Sequence, residues 1–248
     1  MPSPFRRESG ARPLVLGHRG ARHAAPENTL KAFELAATEG ADGVELDVRI
    51  CQSGEVIVLH DSTVARVSGR SDARQVEDLT WTELSEIDVG EGERIPLLAD
   101  VLDWALRLNM LVNVEVKSDV MDRQALLAAV AKLLNEHATT PNNVLLSSFE
   151  PRFVHWLARN VPKAQVGWLV HEKQRFFRKA TGHRLLGATA VHPEHVLATT
   201  DQLARWKKRD SLVVVWTVNE PERAKALAEL GVDVIISDTP GAILQALV

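Results

Sequence analysis

The sequence predicts a (β/α)8 barrel, and three observations carry that prediction. Eight short runs rich in β-branched and aliphatic residues recur along the chain, most of them almost continuously apolar, as strands buried on both faces are. Helix-like amphipathic segments separate most of these runs, the alternation that builds a parallel sheet. The chain has 248 residues and is 45% hydrophobic, and barrels of this kind routinely occupy about 200–250 residues as one domain. A doubly wound open sheet is the alternative. It would place a Gly-rich phosphate turn after the first strand, and HRGARHAAPEN is not a GxGxxG pattern.

The expected strands, in order, are LVLGH (14–18), GVELDVRI (43–50), LVNVEVK (111–117), NVLLSSF (143–149), QVGWLV (165–170), ATAVHP (188–193), LVVVWTVN (212–219) and DVIISD (233–238). The first helix is expected over Thr29–Glu39, where Leu30, Phe33 and Ala37 share a face and Gly40 can close the C-terminus. Asn28 reads as its N-cap. Further helices are expected over Asp122–His137, Pro151–Asn160, Asp201–Arg209, Pro221–Leu230 and Pro240–Val248, with Pro221 and Pro240 in first turns that tolerate proline. CQSGEVIVLHD reads as a hairpin extension of the second strand, turning at Ser53-Gly54. Residues 61–97 read as a small polar insertion, with a capping-box spacing at Thr80-Trp81-Thr82-Glu83. Residues 171–190 are basic and do not divide cleanly into elements. Arg175, Arg178, Lys179 and Arg184 read there as a solvated face.

Composition excludes several function classes. The formal net charge is −4, and no basic stripe suggests a nucleic-acid partner. The one cysteine, Cys51, excludes an intrachain disulfide framework, fits a reducing compartment and reads as structural. No apolar run approaches the roughly 18–20 residues a membrane helix needs, so stable membrane insertion is not expected. Residues 1–12 read as a loose tail without a signal-like apolar core. The expectation is one cytoplasmic domain over residues 1–248.

Barrels of this type keep their chemistry at the C-terminal strand ends. The first strand ends in His18-Arg19, and the second carries Glu45 and Asp47 and extends to His60-Asp61. The third carries Asn113, Glu115 and Lys117. His192, Trp216, Asn219 and Asp238 lie at or near later strand ends. Residues two apart on a strand share a face. Val44, Leu46, Val48, Val112, Val114 and Val116 take the other parity, so Glu45, Asp47 and Glu115 point into the barrel. Any one of these acids alone could be an ordinary solvated side chain. Three clustered carboxylates need protons or a cation, because like charges close together are costly. All-oxygen donors favour a hard divalent ion, Mg²⁺ or Ca²⁺ with Mn²⁺ a third candidate, over zinc.

His18 and His60 flank this cluster. A histidine pair can hold one acid and one base near neutral pH. With Arg19 and Lys117 adding positive charge, the set suits a phosphate ester. His23, His137, His155, His171, His183 and His195 read as surface or packing residues.

These residues carry a resemblance. His18-Arg19-Gly20, Pro26-Glu27-Asn28-Thr29, Glu45-Leu46-Asp47 and His60-Asp61 occur in the order and spacing of the glycerophosphodiester phosphodiesterases, and VNVEVK, SSF, VWTVN and ISDTPG resemble later pieces of that family. DLTWTELSEIDVGEGERIPLLADVL resembles the family's insertion and the start of its next helix. The resemblance spans Leu14 to Val248. It implies a TIM barrel with a divalent ion on Glu45, Asp47 and Glu115, and His18 and His60 as the acid/base pair. It also implies Arg19 and Lys117 as phosphate contacts and Trp216 beside the glycerol. The implied reaction is hydrolysis of a small glycerophosphodiester to glycerol 3-phosphate and an alcohol, with the glycerol 2-hydroxyl attacking first to form a cyclic phosphate. One departure follows His60-Asp61: the family often runs Thr-Leu-x-Arg-Thr-Thr where this chain has Ser62-Thr63-Val64-Ala65-Arg66-Val67-Ser68. A relative acting on lysophospholipids would show an apolar exposed loop, whereas Ser62–Pro96 is polar. A barrel that had lost its chemistry would lack part of the histidine pair or the acidic trio, and all five residues are present.

Overall fold

The computed structural model of the protein describes residues 3–69, 72–137, 143–174, 176–177 and 179–248. The strands are β1 (Leu14–His18), β2 (Gly43–Ile50), β3 (Val56–Val58), β4 (Leu111–Val116), β5 (Val144–Ser148), β6 (Gln165–Val170), β7 (Ala190–Pro193), β8 (Leu212–Val215) and β9 (Val234–Ser237). All but β3 are parallel, and β1 pairs with both β2 and β9, which closes an eight-stranded barrel. β3 is the antiparallel arm of the expected hairpin on β2. The helices are α1 (Leu30–Thr38), α2 (Trp81–Leu84), α3 (Leu98–Leu108), α4 (Arg123–Glu136), α5 (Pro151–Asn160), α6 (Thr200–Lys207), α7 (Pro221–Glu229) and α8 (Pro240–Ala246). The (β/α)8 architecture is the one the alternation implied. Among the described residues, no helix is long and apolar enough to cross a membrane.

Two apolar layers hold the barrel. Outward-facing Val44, Leu46, Val48, Val112, Val114 and Val116 pack with Phe33, Leu102, Leu126 and Leu157 of the helices. Inside, Leu16, Leu111, Leu145, Leu212, Val214, Val234 and Ile236 fill the lower barrel. A third cluster, including Ile57, Leu59, Val64, Val76, Leu79, Leu84 and Ile95, gives the segment after β3 its own small core. The capping box at Thr80 forms, but α2 is a single turn.

Two expectations, on the N-terminal segment and on the strand ends, are corrected. The N-terminal segment is docked: Phe5 is 1% exposed and packs beneath the inner layer. Arg12 forms a forked ion pair with Asp42, and Arg6 pairs with Asp210. The bottom of the barrel would otherwise expose Leu16, Leu111 and Leu212, and a large apolar side chain covers them. Between β6 and β7, the described residues hold no α-helix. A 3₁₀ turn, His183–Leu186, takes the helix's place, while Arg175 and Arg178 lie outside the described residues. Several strands also stop before the residues expected to end them, so Lys117, Phe149, Trp216, Asn219 and Asp238 sit on the loops just above the barrel.

Candidate active site

β2 and β4 are in register with Asp47 beside Glu115, and β1 is in register with β2 so that His18 lies beside Glu45. Strand parity turns all four side chains inward at the C-terminal end. One oxygen from each of Glu45, Asp47 and Glu115 lies within 4.8 Å of the others. Burial, followed by the nearby charges of Asp47 and Glu115, pushes the Glu45 carboxyl well up. Burial also pushes Asp47 up, but Lys117, Arg19 and His60 outweigh it and hold that carboxyl well below its usual range. Lys117 Nζ donates to Glu115 Oε1 at 2.7 Å and to Asp47 Oδ1 at 3.2 Å. Three converging carboxylates, one resisting ionisation because of its burial and then because of the others, match the donor set of a hard divalent cation.

Each expected histidine is held through Nδ1 by a carboxylate. His18 Nδ1 lies 2.6 Å from Asp238 Oδ1, and its Nε2 is 3.9 Å from Glu45 Oε2. His60 Nδ1 lies 2.6 Å from Asp61 Oδ1. Burial pushes both partner carboxyls up, yet each is held at about 2: Asp238 by His18, Asn219 and Arg22, and Asp61 by Arg66 and His60. His60 lines a cleft of about 520 Å³ with Arg49, Asp61, Ser62, Thr63, Glu115, Lys117 and Phe149. His18 lines a smaller cavity with Glu45, Asn113, Glu115, Leu169 and Trp216. Glu115 borders both, so the two histidines approach the acidic trio from different sides.

Arg19 is shaped by its backbone. Its φ is +56°, a conformation that residues other than glycine, asparagine and aspartate seldom adopt. Its N–H donates to Glu45 Oε2 at 3.1 Å, Nη1 donates to Glu27 Oε1 at 2.8 Å, and Nε lies 3.2 Å from Asp47 Oδ2. Gly20 follows at φ +82°, where a Cβ would stand 2.5 Å from the Ala32 carbonyl carbon of α1. The turn can therefore leave the site only with glycine there. Trp216 donates from Nε1 to the His192 carbonyl at 2.8 Å and meets Phe149 edge-on at 5.5 Å.

The structure thus gathers His18, His60, Glu45, Asp47, Glu115, Arg19, Lys117 and Trp216 at one mouth. It also shows what sequence reasoning missed. Thr29, not Asn28, caps α1. Asn28 instead adopts φ +57° and donates from Nδ2 to Asp47 Oδ2 at 3.0 Å. Glu27 is a hub: it accepts from Arg19 at 2.8 Å and from Arg66 at 2.7 Å, and Arg66 reaches on to Asp61 at 2.7 Å. Arg66, like Thr63, is common to the two patterns in the departing segment. His192 points into the barrel, fully buried, with neither ring nitrogen hydrogen-bonded. Burial pushes it down to about 3. His183 is a packing residue, as expected, bonded to the Ala180 carbonyl and to Ser211.

Comparison with known proteins agrees with this geometry. The model of the glycerophosphoryl diester phosphodiesterase family matches residues 18–242. A glycerophosphodiester phosphodiesterase of Caldanaerobacter subterraneus subsp. tengcongensis is 30% identical over 244 residues, covering 94% of this chain and 96% of the relative. A phosphodiesterase of Oleispira antarctica, solved with the product sn-glycerol-3-phosphate, is 26% identical with a TM-score of 0.86, covering 95% of this chain and 97% of that one. A Silicibacter pomeroyi crystal structure, of a candidate glycerophosphoryl diester phosphodiesterase, is 26% identical with a TM-score of 0.88, covering 98% and 95%.

Proposed function

The chain belongs to the glycerophosphoryl diester phosphodiesterase family, and from that premise we propose that it hydrolyses small glycerophosphodiesters to glycerol 3-phosphate and an alcohol. The observation that carries the reading is the placement of two carboxylate-backed histidines, His18 and His60, on either side of the Glu45–Asp47–Glu115 cluster. The Oleispira antarctica relative holds the product this reaction would release.

Glu45, Asp47 and Glu115 would hold one divalent cation, Mg²⁺ or Ca²⁺ with Mn²⁺ a third candidate. Such an ion supplies Lewis-acid stabilisation to a phosphoryl group when bound. The remaining chemistry falls to the chain's own side chains. Arg19 and Lys117 offset the phosphate charge, and Trp216 packs beside the glycerol. One histidine takes the proton of the glycerol 2-hydroxyl as its oxygen attacks phosphorus. The other protonates the alcohol oxygen as its bond to phosphorus breaks. Water then opens the five-membered cyclic phosphate with the two proton roles exchanged. A cytoplasmic setting accords with the free, buried Cys51.

The test is release of glycerol 3-phosphate from glycerophosphocholine and glycerophosphoethanolamine under Mg²⁺, Ca²⁺ or Mn²⁺, and again in EDTA. Release that depends on the metal is expected. No release from any substrate under any of these metals overturns the activity, and full activity in demonstrably metal-free protein overturns the metal's part.

A further inference from the structure

We propose that Asp238, clamped by Asn219, is a positioning residue that fixes the tautomer and aim of His18. The proposal deepens the phosphodiesterase reading and rests on it for the role of His18. Both residues lie far from His18 in sequence, and barrel closure brings them together. β1 pairs with β9, with Gly17 beside Ser237. The two strands therefore end side by side, and the next residue of each, His18 and Asp238, meet at 2.6 Å through Nδ1 and Oδ1.

An ionised carboxylate can only accept a hydrogen bond, so Nδ1 carries the hydrogen and Nε2 carries the lone pair. That leaves the basic nitrogen on the side of the ring facing Glu45, whose Oε2 is 3.9 Å away. The carboxylate is itself immobilised. Its Oδ2 accepts from Asn219 Nδ2 at 2.7 Å, and Asn219 Oδ1 accepts the Asp238 backbone N–H at 2.9 Å. The Ser237 hydroxyl donates to the same amide oxygen at 3.1 Å. Asn219 thus grips both the side chain and the main chain of Asp238. The carboxylate cannot swing away from His18 without breaking its bond to the amide. Arg22 Nε, 3.5 Å from Asp238 Oδ1, adds a looser positive charge.

The other histidine is held differently. His60 leans on its own chain neighbour, Asp61, which shares its charge with Arg66 at 2.7 Å. His18 depends on a partner from the far end of the chain, so its alignment can be removed without touching the acidic trio, His60 or the segment around Arg66.

The experiment compares the full-length wild type with Asp238→Asn and Asn219→Ala. Long-range ¹H–¹⁵N NMR reads the neutral tautomer of His18, assigned against His18→Gln. Steady-state kinetics on glycerophosphocholine at saturating divalent metal read kcat and KM, and thermal melts read folding. Wild-type His18 is expected as the Nδ1–H tautomer, and Asp238→Asn as a mixture. In Asp238→Asn, kcat should fall about 10²-fold or more, the scale of a lost general acid or base, while KM changes less than about threefold. Asn219→Ala should lower kcat in the same direction but less. Wild-type kcat, an unchanged single tautomer in Asp238→Asn, or a loss of activity that follows loss of folding would each overturn the proposal. Failure of the wild type to release glycerol 3-phosphate would remove the phosphodiesterase reading, and the tautomer measurement would still decide whether Asp238 positions His18.

Discussion

Lys117 holds its ammonium 2.7 Å from Glu115 Oε1 and also reaches Asp47 at 3.2 Å, so one buried cation bridges two of the three clustered carboxylates. Burial pulls the Lys117 pKa down, but the two carboxylates outweigh it and raise it above its ordinary value. The lysine is therefore charged at every pH the protein meets. Arg19 does the same from the other side of Asp47. These cations keep the cluster from repelling itself apart.

Lys117→Ala should consequently destabilise the metal-free protein, on the order of 3 kcal/mol for breaking a buried ion pair. A divalent cation would replace the missing charge. The rise in melting temperature on moving from EDTA to saturating Ca²⁺ or Mg²⁺ should be larger in Lys117→Ala than in wild type, because binding to the folded state stabilises by mass action. Equal melting temperatures for the two proteins in EDTA would contradict this.

Substitution of either histidine should cost rate more than affinity. His18→Ala and His60→Ala are each expected to lower kcat roughly 10²–10⁴-fold. The phosphate contacts proposed for Arg19 and Lys117 are untouched, so KM should move little. A variant with wild-type kcat would exclude that histidine from proton transfer.

The barrel was legible because its signal is local. Alternation of apolar runs and helical patterns needs no knowledge of distant contacts, and parity alone turned Glu45, Asp47 and Glu115 inward. What escaped was set by long-range closure or by a single side chain. Asp238 and Asn219 could be placed at strand ends, but their bond to His18 exists only because β9 returns to β1. Asn28 looked like a helix cap because a short polar residue before a helix usually is one. Thr29 fills that role equally well, which frees Asn28 for Asp47. Phe5 stands alone among polar residues, with no period to mark it as core.

Phe5→Ala tests that docking. The ring is 1% exposed beneath Leu16, Leu111 and Leu212, and truncating a buried phenylalanine costs about 3–5 kcal/mol. Chemical denaturation should show a loss of that order, with kcat unchanged because the site is at the opposite end. A change under about 0.5 kcal/mol, the usual range for surface substitutions, would mean the segment is loosely held in solution.

His192 gives the stability a pH dependence of known sign. Burial pushes its folded pKa down to about 3, from the ordinary histidine value of about 6.5. Protons therefore bind the unfolded chain in preference. Its contribution is complete above pH 6.5 and is lost as pH falls toward 3, at up to about 1.4 kcal/mol per pH unit. In His192→Leu that slope should flatten between pH 6.5 and 4. Stability at neutral pH should hold or rise, since neither ring nitrogen has a hydrogen-bond partner to lose. Unfolding free energies across that pH range decide it, and parallel slopes for the two proteins would refute it.

Asn28 separates backbone strain from ligand support. Its φ of +57° suits asparagine or glycine and penalises alanine, while its amide donates to Asp47 Oδ2 at 3.0 Å. Asn28→Gly keeps the backbone and loses the hydrogen bond. Asn28→Ala loses the hydrogen bond and adds strain of about 1–2 kcal/mol. Both variants should bind the divalent cation more weakly if Asp47 holds it as proposed, because a support of a metal ligand typically matters about 10–100-fold in affinity. Only Asn28→Ala should also melt earlier in EDTA than Asn28→Gly. If the glycine variant bound Mg²⁺ or Ca²⁺ as tightly as wild type in a calorimetric titration, the amide would have no part in holding Asp47 for the ion. If the two variants melted together, the left-handed backbone at this position would carry no strain.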